Sequence, residues 1–100
     1  MDRVEAAEIL RGEMTAYARR SRADLVPLIG ETEAYEIKGP SKVSYQVEVN
    51  VLWDEKSGGT IRVVGGIDDG GFRTSFSPLT DGFLVQVDGT VDMPDRGAPA

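Results

Sequence analysis

Hydrophobic and polar residues alternate along the middle of the chain with a period of two, which is typical of β-strands with one buried face. The longest alternation covers residues 43–53, where every second residue is Val, Tyr or Trp. Shorter alternating segments cover residues 33–38, 60–66, 72–77 and 83–88, and turn-forming residues such as Gly39-Pro40 separate them. Asp88-Gly89 can turn a short final hairpin through Val91. Because the connections are short, the pattern predicts an antiparallel meander of about five strands.

The first segment has the period of an amphipathic helix instead, over about residues 2–24. Ser21 fits the apolar face poorly, so we expect the helix to bend or end there. Pro27 disfavours a helical conformation for the residue before it and is expected to stop the helix. The apolar side chains share one arc of about 120°, and they are Ala6, Ala7, Leu10, Met14, Tyr17, Ala18 and Leu25.

A single helix can cover only one face of such a sheet. The predicted fold is therefore a two-layer α+β domain with the element order α-β-β-β-β-β over residues 1–92. A chain of 100 residues has room for one modest core. Residues 93–100 are rich in Pro, Gly and Ala, and they are predicted to form a flexible C-terminal tail.

The composition lacks much of the chemistry that enzymes use. The absence of cysteine and histidine excludes thiolate catalysis, disulfides and zinc fingers and removes the commonest general base. We therefore expect no cofactor and favour a non-catalytic protein. Residues 1–24 are neutral, so the remaining chain carries the net charge of −6, which disfavours nucleic-acid binding. No apolar run approaches the roughly 18 residues of a membrane span, and we expect a cytoplasmic protein with no membrane partner.

The glycine- and aspartate-rich segment at residues 65–71 is the first candidate site. Asp68 and Asp69, with Asp81 nearby, could supply oxygen ligands for calcium or magnesium, and Arg73 could help to bind an anionic ligand. The spacing matches no EF-hand loop. The alternative is a tight turn or bulge, because glycine adopts positive φ and aspartate accepts hydrogen bonds from its own backbone.

The second candidate site lies on the polar side of the predicted strands. Leu52, Val64 and Leu84 all fall there by alternation. If the strand registers bring them together, they form a small apolar patch with a polar rim, which is the composition of a partner surface. The alternative is three scattered apolar residues, which are normal on a protein surface.

Two further groups of residues are better explained by structure than by function. Tyr17, Tyr45 and Trp53 lie on the predicted buried faces, so we interpret them as core residues and not as a ligand-stacking set. Three arginines within residues 19–22 form the basic patch of the chain. Their place at the end of the predicted helix is typical of a solvated helix terminus.

The stretch from Val43 to Asp81 is similar to small bacterial proteins of unassigned function. The resemblance covers about forty residues, and it implies a bacterial protein without implying any activity, ligand or catalytic residue. Phe72 stands where those proteins have tryptophan. The similar residues are Tyr45-Gln46-Val47-Glu48-Val49, Trp53-Asp54, Gly58-Gly59, Ile61-Arg62-Val63, Gly66-Ile67-Asp68-Asp69-Gly70-Gly71, Arg73, Pro78-Leu79 and Asp81.

Three hypotheses for the function follow from these observations. The preferred one is a non-catalytic interaction or accessory module that binds a protein, or a second copy of itself, through the uncovered sheet face or an edge strand. The second is a domain that binds a divalent metal or small ligand at Asp68 and Asp69. The third is an acidic mimic of nucleic acid that occupies a nucleic-acid-binding protein, since the sheet half of the chain carries the negative charge.

Overall fold

The computed structural model describes residues 2–70 and 79–93. The neighbouring strands pair antiparallel in the order β1-β2-β3-β4-β5. The described elements are α1 (Arg3–Ala18), α2 (Arg22–Leu25), a 3₁₀ turn (Val26–Leu28), β1 (Thr32–Lys38), β2 (Ser44–Trp53), β3 (Ile61–Asp68), β4 (Leu79–Val85) and β5 (Val91–Asp92). The predicted two-layer α+β meander is confirmed.

The helical region is divided close to Ser21, the residue that fits the apolar face poorly. Asp2 caps α1 by accepting a hydrogen bond from the backbone N–H of Glu5 at 3.0 Å. Ser21 caps α2 in the same way, accepting from the N–H of Asp24 at 3.1 Å. Pro27 lies in the 3₁₀ turn, because proline is tolerated in the first turn of a helix. The helix predicted over residues 2–24 is therefore two helices.

The core lies between α1 and one face of the sheet. The alternation predicted over residues 43–53 is confirmed, since Val47, Val49 and Val51 are buried and their neighbours in sequence are more exposed. The buried residues are Ala6, Leu10, Met14, Tyr17, Leu25, Tyr45, Val47, Val49, Val51, Ile61, Val63, Ile67, Phe83 and Val85.

Gly65 and Gly66 lie inside β3, in agreement with the strand predicted over residues 60–66, and not in the tight turn considered for residues 65–71. A Cβ on Gly65 would lie 2.5 Å from Met14 Cε, so the side chain of Met14 occupies the space that another residue would need. A larger residue here would therefore force the end of the Met14 side chain to move. The strand continues to Asp68, two residues beyond the predicted end.

The C-terminal half of the sheet also differs in its bounds. The strand predicted over residues 72–77 lies outside the described residues. The one predicted over residues 83–88 corresponds to β4, which begins earlier, at Leu79, and ends at Val85. The hairpin predicted through Val91 is confirmed, with Gly89 at φ 90° in its turn. Met93 packs against the core, while residues 94–100 of the predicted tail lie outside the described residues.

Candidate functional site

The sheet presents one face away from α1, and we call it the open face. Odd-numbered strand residues face the helix and supply the core, whereas even-numbered residues of all five strands lie on the open face. Along β2 and β3 this appears as a regular alternation of buried and more exposed residues. The even-numbered strand residues are all exposed or half-buried, and α1 packs on the opposite face of the sheet.

The strand registers bring Leu52, Val64 and Leu84 together on the open face, and we call them the apolar patch. Leu52 on β2 and Leu84 on β4 both lie opposite Arg62 of β3. Val64 is the next open-face residue of β3, so it is the diagonal neighbour of both leucines, within reach of their side chains. Leu52 is 39% exposed, and Val64 and Leu84 are half-buried. The three residues therefore form one surface feature.

Arg62 lies between the two leucines, and a carboxylate already neutralises its charge. Its Nη2 lies 2.6 Å from Asp54 Oδ1, and its Nε donates to the same oxygen at 2.8 Å. The aliphatic part of the arginine side chain can extend the apolar surface while its charged end stays at the rim. The apolar patch thus carries no unpaired positive charge.

Glycines create two shallow cavities on either side of Val64. One of about 340 Å³ lies over Gly66, and the other of about 380 Å³ lies over Gly82. A Cβ on Gly82 would lie 2.6 Å from the backbone oxygen of Val63, so the close approach of the two strands requires glycine at this position. The open face is consequently concave beside the apolar patch.

The structure places Asp68 and Asp81, two of the residues proposed for a metal or small-ligand site, on opposite faces of the sheet. Asp68 lies on the open face, where its carboxylate accepts from the N–H of Gly70 at 2.7 Å. Asp81 lies opposite Gly65 on the helix-facing side of the sheet. Asp69 follows the end of β3, and Arg73 lies outside the described residues. Within residues 2–70 and 79–93 no group of three or more acidic side chains could hold a metal.

The Asp68 contact has the geometry of a turn. Gly70 has a φ of 74°, a left-handed conformation that glycine adopts without strain. The hydrogen bond from an aspartate to the N–H two residues later is the usual aspartate turn. The alternative interpretation of this segment as turn chemistry therefore holds for residues 68–70.

The sequence analysis missed a hydrogen-bond network centred on Glu5. Its carboxylate accepts from the hydroxyls of Ser41 and Tyr45, each at 2.6 Å, and from the N–H of Ser41 at 3.0 Å. Hydrogen bonds from Ser41 and then Tyr45 lower the pKa of Glu5, and the bond to Glu5 raises the pKa of Tyr45 to about 12. This network attaches the start of α1 to the β1–β2 turn, which is a structural role.

A second network closes the outer edge of the sheet at β1. The hydroxyl of Tyr17 donates to Glu33, and that of Tyr35 donates to Glu13 at 2.8 Å. Arg20 lies over the ring of Tyr17, 4.2 Å from its centroid. Burial, followed by the bond to Glu33, raises the pKa of Tyr17 to about 12, and burial likewise raises the pKa of Tyr35. An inward-facing glutamate on an edge strand discourages pairing with another strand.

The aromatic residues lie in or against the core, as predicted, whereas the arginines of residues 19–22 depart from the solvated helix end that was expected. Tyr17 and Tyr45 are buried, and Trp53 is half-buried against the core. The arginines are more engaged than a solvated helix end would be, because Arg22 donates to the carbonyl of Gly58 at 3.0 Å and lies 5.7 Å from the Trp53 ring centroid. Only the tertiary structure shows these contacts.

Comparison with known proteins gives no assignment, since no family model, curated protein or solved structure matches the chain. Across residues 2–70 and 79–93, no helix has the length and apolar character needed to cross a membrane. The geometry of the open face therefore carries the functional argument.

Proposed function

We propose that this domain is a non-catalytic interaction module that binds a partner protein through the open face of its sheet. The observation that carries the proposal is the apolar patch, in which Leu52, Val64 and Leu84 are neighbours on a face that α1 leaves uncovered. An apolar centre with a polar rim is the usual anatomy of a protein interface. The adjoining cavities at Gly66 and Gly82 give a partner's side chains places to insert.

The open face is a better candidate than the edges of the sheet. Glu33 faces inward on the edge strand β1, where its carboxylate accepts a hydrogen bond from Tyr17, and an inward-facing charge discourages the addition of another strand. The opposite edge strand, β5, has two residues, which offers few backbone groups to an added strand. We retain the sequence-based proposals that the protein is bacterial and that it acts in the cytoplasm.

The test compares capture by three forms of the tagged, full-length chain from a lysate of the source organism. Leu84→Asp puts a charge into the apolar patch, whereas Val87→Asp makes the same kind of change at a residue that is 64% exposed in the β4–β5 turn. Circular dichroism checks that both variants fold. We expect at least one protein that wild type and Val87→Asp bind and Leu84→Asp does not. Identical sets of bound proteins for all three forms would contradict the proposal.

A further inference from the structure

The charges of the open face indicate what kind of partner the module accepts. On the open face of the three central strands, the charged side chains are those of Glu48, Arg62 and Asp68. Arg62 is neutralised by Asp54 at 2.6 Å, so the two carboxylates carry the uncompensated charge. Glu36 and Lys38 on β1 offset each other. The centre of the open face is thus negative beside an apolar patch.

Glu48 is well placed to meet a positive group from outside the chain. Its neighbours across the sheet are Ala34 on β1 and Gly66 on β3, which leave its side chain uncrowded. The residue is exposed, and within residues 2–70 and 79–93 its side chain makes no hydrogen bond or ion pair. Asp68 lies two residues beyond Gly66 on β3, so it is the diagonal neighbour of Glu48.

The cavity over Gly66 matches the chemistry of a lysine or arginine side chain. Glu48 and Asp68 supply carboxylates, Gln46 and Asn50 supply amide oxygens, and Ala34 and Val64 supply apolar surface for the aliphatic stem. Among the described residues that line this cavity, none is basic. Such a surface attracts a positive side chain and repels a negative one.

We propose that the partner is a protein that docks an extended segment with basic side chains in the Gly66 cavity and apolar side chains on the apolar patch; this inference rests on the proposed function. Leu52 and Glu48 are four residues apart on β2, a distance of about 13 Å at the rise of a β-strand. Side chains two residues apart in an extended segment face the same way. The apolar and basic side chains of the partner segment are therefore about four residues apart.

The probe is a synthetic, end-capped heptapeptide with leucine at positions one and three, lysine at five, arginine at seven and threonine between them. A neutral version carries glutamine at positions five and seven, and an acidic version carries glutamate. Each is titrated into ¹⁵N-labelled full-length protein while the amide resonances are followed. We expect the basic peptide to shift amides around Glu48 and Gly66 and to bind about fivefold more tightly than the neutral one, since exposed ion pairs each contribute about two- to fivefold.

Two isosteric variants separate local attraction from the overall charge of the chain. Glu48→Gln is expected to reduce the preference for the basic peptide about threefold. Glu55→Gln makes the same change at an exposed residue that follows β2, outside the strands that form the open face, and is expected to leave the preference intact. Equal losses in both variants would overturn the inference, because the effect would then come from net charge.

The outcomes also distinguish this inference from the proposed function. If the neutral peptide shifts open-face amides and the basic peptide binds no better, the interaction surface stands and the basic partner is wrong. If the acidic peptide binds as tightly as the basic one, the charge argument fails in the same way. If none of the three peptides shifts an open-face amide, both the inference and the proposed function are contradicted.

Discussion

The packing of Met14 against Gly65 gives a quantitative test of how α1 is seated on the sheet. A methyl group at residue 65 would lie 2.5 Å from Met14 Cε, 2.9 Å from its Sδ and 3.2 Å from Leu10 Cδ1. Overpacking of this kind costs about 1–3 kcal/mol, and replacing a strand glycine by alanine returns about 0.5–1 kcal/mol. We therefore expect Gly65→Ala to lower the free energy of unfolding by about 1–2 kcal/mol.

The partner substitution should partly relieve this cost. Met14→Ala alone creates a cavity in the core, because Met14 is fully buried, and it should destabilise the fold by about 2–5 kcal/mol. In the double variant, the alanine methyl at residue 65 enters the space that Met14 vacates. The double variant should therefore be more stable than the two single effects added together would allow, by at least about 1 kcal/mol.

The assay is urea unfolding followed by the fluorescence of Trp53, the single tryptophan of the chain, with circular dichroism as a second probe. Gly12→Ala is the control, because a Cβ there meets nothing within 4 Å on the exposed side of α1. It should raise stability by up to about 1 kcal/mol. Additive effects of Gly65→Ala and Met14→Ala would refute the claim that the Met14 side chain occupies the space beside Gly65 in β3.

Three further predictions concern the two side-chain networks and the sheet edge. Because the folded-state pKa of Glu5 lies below its ordinary 4.5, its contribution to stability is present above that value and is lost as pH falls through the folded pKa. Urea unfolding from pH 3 to 7 should show a weaker acid dependence in Glu5→Gln, and an unchanged pH profile would exclude the network. All three tyrosines have raised pKa values, so tyrosinate absorbance at pH 10 should stay low until the protein unfolds. Ionisation of the tyrosines centred near pH 10 in the folded protein would contradict this prediction. Glu33→Val removes the inward charge from β1 and should let the edge strands of two molecules pair, which would raise the molar mass measured by light scattering. Glu31→Val makes the same change one residue before the strand and should leave the molar mass unchanged. Equal molar masses for the two variants would show that Glu33 does not protect the edge.

The regular sequence periods predicted the fold well because each depends on burial of one face. Strict alternation over residues 43–53 is typical of a strand with one buried face, and β2 has that arrangement. The apolar arc of the first segment likewise predicted the buried residues of α1, which are Ala6, Leu10, Met14 and Tyr17. Ala7 was placed on the same arc but is exposed, because it lies at the margin of the face that meets the sheet. The break between α1 and α2 was visible in the sequence because Ser21 is a polar residue on the apolar face.

Features set by contacts between distant segments were harder to predict. Gly65 resembles a turn residue in the sequence, and only the approach of Met14 explains its place in a strand. The position of Glu5 near the start of the helix was explained by the helix dipole alone. Its hydrogen-bond partners Ser41 and Tyr45 are 36 and 40 residues away in the sequence, so no local pattern indicated them. Whether Leu52, Val64 and Leu84 are neighbours depends on strand register, which alternation alone does not give.

The most direct test of the central claim is to map a bound partner on the protein by amide-resolved NMR. The partner is a protein recovered with wild type and Val87→Asp and lost with Leu84→Asp, purified and titrated into the ¹⁵N-labelled full-length chain. Our account predicts shift changes concentrated on the amides of β2, β3 and β4 around Leu52, Val64 and Leu84. Changes concentrated on α1 or on the outer edge of β1, with those amides unmoved, would contradict it.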